Sequence, residues 1–546
     1  MIGSVLKNKG AIKMKLTFIG ADHEVTGSCH MITACGKNIL IDCGLEQGTD
    51  VYVNQEIPVE ISDIDYVLLT HAHIDHAGLL PLLYARGFRG QVLATKATVD
   101  LCQIMLRDSA HIQEAEAEWK NRKARRAGNK EQEPLYSMND AEGVLEHFVD
   151  CDYKARINIT DGIDVRFSDA GHLLGSASVE IWLTEGIHTR KVVFSGDIGN
   201  INRPIIKDPE YIKEADYVIM ESTYGDRYHD VEVDYVAHLA KITQETFERG
   251  GNVVIPAFAV GRTQEMLYYF RKIKEQQLIK GFENFPVYVD SPLAVEATKV
   301  FNNNIECCFD EESMDMVRRG INPIHFQGLQ LSLTSDDSKA INFDARPKVI
   351  ISASGMCEAG RIRHHLKHNL WRRDSTIVFV GYQAVGSLGR ALLEGVNEVK
   401  LFGETIDVQA RIVKLDGVSG HADKDGLIKW VTSFEPKPER VFIVHGEDTV
   451  CDNFADCLNN EYGINAFAPF SGAVYDLATG ECLREGIKMR IERPVTPTRR
   501  ASEVFERLLA AGKRLLTVIR HNEGGANKDL AKFADQINSL CDKWDR

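Results

Sequence analysis

Residues 68–81, LLTHAHIDHAGLLP, place His71, His73, Asp75 and His76 within six consecutive positions, directly after an apolar run. Imidazole nitrogen with carboxylate oxygen is the ligand chemistry of zinc and similar divalent ions, whereas an all-oxygen set would suit magnesium or calcium. Histidine makes up 18 of 546 residues, so this spacing arises by chance in about one such chain in a thousand, which favours a metal site. In one continuous helix, residues two apart point to nearly opposite sides, so His71 and His73 share an ion only across a tight strand-to-helix turn. The run YVLL supplies the strand and HAGLLPLLYARG the helix, with Pro81 in its early turns. Four ligands from one turn cannot fill two coordination shells. His172 in SDAGHLLGSA and Asp197 in VFSGDIGN are the candidates to complete them, each beside a glycine that allows close backbone approach.

The elements that must position these groups are short aliphatic runs ending in an ionisable residue. NILIDCG, DYVLLTHAH, KVVFSGD, DYVIMEST and RVFIVHGE bring Asp42, His71, Asp197, Glu221 and His445 to strand ends, expected to form the common rim of one sheet. From about Gly250 the pattern changes to strand followed by helix, four times over, which favours a parallel sheet covered by helices. Because this block lies between Glu221 and His445, an inserted domain is expected. The expected boundaries are an N-terminal extension over 1–13, a first domain over 14–226 and 419–490, an inserted domain over 227–418, and a helical C-terminal extension over 491–546. In that extension Leu530, Phe533, Ile537, Leu540 and Trp544 recur at helical spacing, an apolar face expected to pack on the body of the protein.

Length alone predicts two or three domains, and 44% hydrophobic with 26% charged residues is a soluble globular composition. No stretch reads as a membrane span, and the first residues lack the apolar core of a secretory signal. Twelve scattered cysteines without a C-x-x-C pair suit reduced thiols in a cytoplasm. A net charge of −15 argues against indiscriminate polyanion binding but leaves room for a local basic channel. Residues 119–130, WKNRKARRAGNK, and 361–373, RIRHHLKHNLWRR, could line one, although a solvated helix face is the simpler reading of each.

The residues Asp42, HAHIDH, His172 and Asp197 resemble the motifs of the metallo-β-lactamase superfamily. The resemblance implies an α/β protein, an αββα sandwich with a two-metal site. His71, His73 and His172 would hold one zinc, Asp75 and His76 the other, with Asp197 bridging and Asp42 orienting the turn. Manganese is an alternative metal, since it also takes mixed nitrogen and oxygen ligands. Glu221 in VIMESTYG, His421 in DGVSGHADKDG and His445 in VFIVHGED are similar to the three further motifs of the β-CASP group, the nucleic-acid-processing branch, which carries a parallel-sheet α/β insertion. IPAFAVGRTQEML and SASGMCEAGRIRHHLKH resemble most closely the nuclease subunit of the eukaryotic cleavage and polyadenylation factor and its prokaryotic homologues.

That resemblance implies a ribonuclease of single-stranded RNA, cutting internally, from the 5′ end, or both. His445 would complete the second metal's ligands and mark RNA rather than DNA as the substrate. His421, oriented by Glu221, would act as general acid on the departing 3′-oxygen, and Asp75 is counted with these two among the catalytic residues. Arg262, Ser354 and Gly355 could hold phosphates beside the scissile bond, or merely cap helices. A homodimer is a family-level expectation. The rival readings are a DNA nuclease of the same fold, a small-molecule metallohydrolase, which would leave His421, His445 and the insertion without purpose, and a silent scaffold, which would have lost ligands that this chain retains.

Overall fold

The structure is a computed structural model and describes residues 14–47, 51–127, 130–229, 234–384, 386–415, 419–491, 508, 511, 512 and 514–544. The expected extension 1–13 lies outside the described residues. The chain divides into two compact units, residues 1–489 and 490–546.

The first unit contains three large sheets. An eight-stranded sheet runs in the order Cys482–Arg484, Val474–Asp476, Lys15–Gly20, Cys29–Ala34, Lys37–Ile41, Tyr66–Leu68, Gln91–Thr95 and Phe148–Cys151. A seven-stranded sheet runs Ala466–Phe467, Arg440–Val444, Tyr217–Glu221, His188–Phe194, Ala177–Glu185, Ile163–Asp169 and Ile157–Thr160. Alternate residues of both face each other in one apolar layer that includes Phe18, Ile32, Ile41, Phe167, Ile181, Phe194 and Phe442, as the period of two in each strand dictates. Helices cover the outer faces. Leu101 and Leu106 of Lys96–Ala127 pack on the first sheet, and Trp430, Phe454 and Leu458 of Lys424–Val431 and Asp448–Tyr462 pack on the second. This is an αββα sandwich.

The third sheet, Leu329–Leu331, Val287–Val289, Val349–Ser352, Val253–Pro256, Thr376–Phe379 and Arg411–Lys414, is parallel throughout, as its strand-helix alternation predicts. It is inserted between strands Tyr217–Glu221 and Arg440–Val444, which pair with each other in parallel in the sandwich. Its core is continuous with that of the sandwich: Leu101 and Phe301 belong to one buried cluster, and Asn304 donates to Asp100 at 2.8 Å.

The site-bearing strands do not share one sheet. Lys37–Ile41 and Tyr66–Leu68 belong to the first sheet, and His188–Phe194, Tyr217–Glu221 and Arg440–Val444 to the second. A sandwich buries both of its inner faces, so alternation along a single strand does not tell which layer it enters. The stretch after His71 also differs from one helix, forming two short ones, Ile74–Ala77 and Leu80–Ala85, with Pro81 at the start of the second.

The basic stretch 361–373 is not a solvated face throughout. His365 is fully buried and donates from Nε2 to Asp290 at 2.6 Å, and Arg361 donates to the same carboxylate at 2.7 Å. The end of Lys96–Ala127 is exposed, with Arg125 paired to Glu131 at 3.0 Å. In the second unit, the helix Asn527–Trp544 matches the predicted spacing. Leu530, Phe533 and Ile537 on it are half-buried whereas Leu540 and Trp544 are exposed. All twelve cysteines are free, and no helix among the described residues is long and apolar enough to cross a membrane.

Candidate metal centre

The strand Tyr66–Leu68 ends three residues before His71, and the chain turns so that His73 stands as the N-cap of Ile74–Ala77 with an extended backbone. The turn solves the spacing problem posed by the sequence: Nε2 of His71 and Nδ1 of His73 come within 3.0 Å. Gly44 makes room for it, since a Cβ there would stand 1.6 Å from the Asp75 carbonyl oxygen. His172 arrives on the turn after Ile163–Asp169, with Nε2 3.3 Å from Nδ1 of His73. Asp197 follows His188–Phe194, and His445 follows Arg440–Val444 in a left-handed conformation, φ 50°. Asp42 is also left-handed, φ 59°, so two strands of the site end on a non-glycine residue in a conformation that costs about 1–2 kcal/mol.

The hydrogen bonds around the outside of the cluster fix which nitrogen of each ring carries a proton. Thr70 donates its amide and its hydroxyl to the two oxygens of Asp42, at 2.8 and 2.9 Å. Its hydroxyl oxygen is then free to accept from Nδ1 of His71 at 3.1 Å. His76 donates from Nδ1 to Asp42 at 2.7 Å, and His172 from Nδ1 to the Gly420 carbonyl at 3.2 Å. Thr223 donates its hydroxyl to the His445 carbonyl at 3.3 Å and accepts from Nδ1 of His445 at 3.2 Å. In all four rings Nδ1 is thereby engaged from outside and Nε2 faces inward, the orientation a ligating imidazole requires.

Nε2 of His76 and Nε2 of His445 stand 3.1 Å apart. Burial alone would lower both rings, but the carboxylates of Asp197 and Asp42 hold His76 well above the usual histidine range and those of Asp197 and Asp75 raise His445, so this side of the cluster favours a cation. Burial pushes His71 and His172 well below the usual histidine range and lowers His73, so a proton is a poor cation for these three. Asp197 supplies the charge. One of its oxygens lies 3.4 Å from His71 and 3.5 Å from His172, and the other 3.3 Å from His76 and 3.6 Å from His445. That second oxygen is buried and accepts no hydrogen bond, an expense that a metal ion would remove. Two sets result, His71, His73, His172 and Asp197 on one side and Asp75, His76 and His445 on the other, with Asp197 between them. The donor chemistry fits divalent metal ions.

His421 stands at the edge of this cluster. Its Nδ1 lies 3.1 Å from Glu221, whose carboxylate also accepts the Ile198 amide at 2.5 Å. Burial alone would lower its pKa, but the Glu221 and Asp197 carboxylates outweigh burial and raise it to about 9. Behind it, Arg203 donates to the carbonyls of His172 and Gly420 at 2.5 and 3.2 Å and pairs with Glu265 at 2.5 Å. Arg262 pairs with the same Glu265. Ser354 and Gly355 make no hydrogen bond to the cluster among the described residues: the Ser354 hydroxyl bonds the backbone of Ala359, and the Gly355 carbonyl accepts from Gln383 at 3.0 Å. Thr70, Thr223 and Arg203 were not singled out in the sequence. Each carried only a positional hint: Thr70 is next to His71, Thr223 is two residues past Glu221, and Arg203 is six residues past Asp197.

An αββα sandwich with a histidine and carboxylate pair of sites at the strand ends defines a metallohydrolase. The family models agree, covering residues 24–230 as the metallo-beta-lactamase superfamily, 263–392 as the Beta-Casp domain and 405–469 as the Zn-dependent metallo-hydrolase RNA specificity domain. The chain belongs to the β-CASP nuclease family of the metallo-β-lactamase superfamily. Ribonuclease TTHA0252 of Thermus thermophilus is 37% identical, over 80% of this chain and 94% of that protein. The transcription termination factors FttA of Methanocaldococcus jannaschii and Methanosarcina mazei are 31% and 32% identical, over 85% and 83% of this chain and 72% and 70% of theirs.

Proposed function

We propose that the chain is a ribonuclease that hydrolyses phosphodiester bonds of single-stranded RNA, leaving a 5′-phosphate and a 3′-hydroxyl, with two zinc ions as cofactors. His71, His73 and His172 would hold one ion and Asp75, His76 and His445 the other, with Asp197 shared and Asp42 orienting the turn. Manganese could take the same mixed set. When bound, such a pair of ions lowers the pKa of water and polarises the phosphoryl oxygens. The chain's own residues do the rest. Thr70, Asp42, Thr223 and the Gly420 carbonyl aim the rings. The sandwich walls keep the cluster buried. His421, kept protonated by Glu221, delivers a proton from Nε2 to the departing 3′-oxygen, a step worth about a hundred- to ten-thousandfold.

The observation that carries this reading is the His421–Glu221 pair set beside the metal cluster. A small-molecule hydrolase of this fold would have no use for it, whereas expulsion of an alkoxide-like ribose oxygen does. The relative named a ribonuclease supports RNA as the substrate. The test is end-labelled single-stranded RNA and DNA of matched sequence, offered to zinc-loaded protein beside His421→Ala. RNA is expected to be cut, DNA at most weakly, and the alanine variant should be at least a hundredfold slower while keeping its metal. Equal cleavage by the variant would remove the general acid, and preferential cleavage of DNA would favour the rival nuclease.

A further inference from the structure

Two grooves open beside the turn at Ser419, and both are lined in part by His229 and Ser419. The first, of about 960 Å³, lies between residues 224–229 and the turn that follows Thr376–Phe379. Tyr228 and Tyr382 on it are 60% and 48% exposed, and neither ring stacks on another aromatic ring among the described residues. Tyr224, on the same wall, stands edge-on to His421 with ring centroids 5.9 Å apart. Among the described residues, the charged lining of this groove is Arg227, Arg390 and Lys414 with the carboxylate of Glu394. The second groove, of about 990 Å³, has seven carboxylates against four cations, and two of those cations, Arg203 and Arg262, are already paired with Glu265.

We infer that the first groove seats the RNA upstream of the scissile bond, with its bases stacked on Tyr228 and Tyr382. The inference rests on the ribonuclease reading and adds to it the path and polarity of the strand. Seven carboxylates against four cations disfavour a phosphate chain in the second groove. In the first, Arg227 pairs with Asp226 and Arg390 with Glu394, both at 2.7 Å on the exposed surface. Exposed pairs of this kind are worth little, so either guanidinium turns to a phosphate at small cost. A cationic groove with bare aromatic rings is the arrangement that binds single strands irrespective of sequence, because every base has a face to stack. Polarity follows from His421. It serves the oxygen that stays on the upstream nucleotide, and the ring flanking it, Tyr224, belongs to this groove.

The test uses metal-loaded His421→Ala protein and an RNA carrying 4-thiouridine two or three nucleotides upstream of the cleavage site. Photo-crosslinks mapped by mass spectrometry are expected at Tyr228 or Tyr382. Crosslinks at Tyr235, Tyr268 or Tyr269 in the acidic groove, or none in either groove, would overturn the inference. In parallel, Tyr382→Ala is expected to bind RNA about tenfold more weakly or worse. Tyr382→Phe, which keeps the ring, should restore binding, and Glu311→Ala in the other groove should leave it within about twofold of wild type by the same stacking argument. RNA cleavage by wild type with unaltered binding by Tyr382→Ala would sink the groove assignment alone. No cleavage of any RNA by the metal-loaded wild type would sink the ribonuclease reading and this inference with it.

Discussion

Thr70 satisfies three partners with two atoms, both oxygens of Asp42 and Nδ1 of His71. Replacing it by valine keeps the volume and removes the hydroxyl, leaving the His71 ring without the acceptor that fixes its tautomer. Thr70→Val is expected to weaken metal binding by about ten- to a hundredfold, measured by competition with a chromophoric chelator. Asp197→Ala should go further and lose both ions, read as metal content after dialysis, because each set shares that carboxylate. The clustered side chains proposed as ligands were legible in the sequence, since His71, His73, Asp75 and His76 announce themselves by type and spacing. The groups that aim them were not. A threonine hydroxyl or a glycine carbonyl looks the same wherever it occurs, and only the folded chain shows that the Gly420 carbonyl faces His172 across 248 positions.

Among the elements, the turns after the strands are the least tolerant. Gly199 sits so close to its neighbour that a Cβ would lie 1.8 Å from the Gly171 carbonyl oxygen. Gly199→Ala must push apart the two turns that carry His172 and Asp197. It is expected to cost about 1–3 kcal/mol in urea unfolding and to lower metal retention. In the inserted sheet, Asp290 follows Val287–Val289 and receives His365, Arg361, Ser332 and Ser338 while fully buried. Burial alone would raise its pKa, but these four donors outweigh it and hold the carboxyl well below the usual range. A depressed folded-state pKa gives stability that is complete above the unfolded value near 3.8 and lost as pH falls through the folded one. Asp290→Asn should therefore cost about 3 kcal/mol at neutral pH, with the gap to wild type closing only below about pH 4 in urea titrations. The sequence displayed this sheet through its strand-helix alternation. It gave no sign that Arg361 and His365 of the basic stretch 361–373 are spent on a buried carboxylate, because Asp290 is 71 positions from Arg361.

At the scale of the whole molecule, the two metal-ligand sets draw on both layers of the sandwich, so an ion there ties the sheets together. A ligand that binds only the folded state stabilises it by about 2.7 kcal/mol at a hundredfold excess over its dissociation constant. Chelation is expected to lower the thermal midpoint of the protein by several degrees, with zinc restoring it, measured by calorimetry. Domain insertion was readable from where the ionisable strand ends fell along the chain. The assignment of those strands to two facing layers was not, because both layers present aliphatic residues to the same core.

The strand Val474–Asp476 pairs with Lys15–Gly20, and His445 reaches a cluster whose first member is His71. During synthesis, Lys15–Gly20 can pair at once with Cys29–Ala34 on one edge, but its other edge must wait for a neighbour made more than 450 residues later. A ribosome-bound chain that has just emitted the inserted sheet already carries His71, His73, His172 and Asp197 but has neither His421 nor His445. On the proposed reading, such a nascent chain holds one ligand set and lacks both the proton donor His421 and the ligand His445, which join the site only after the inserted sheet has been made.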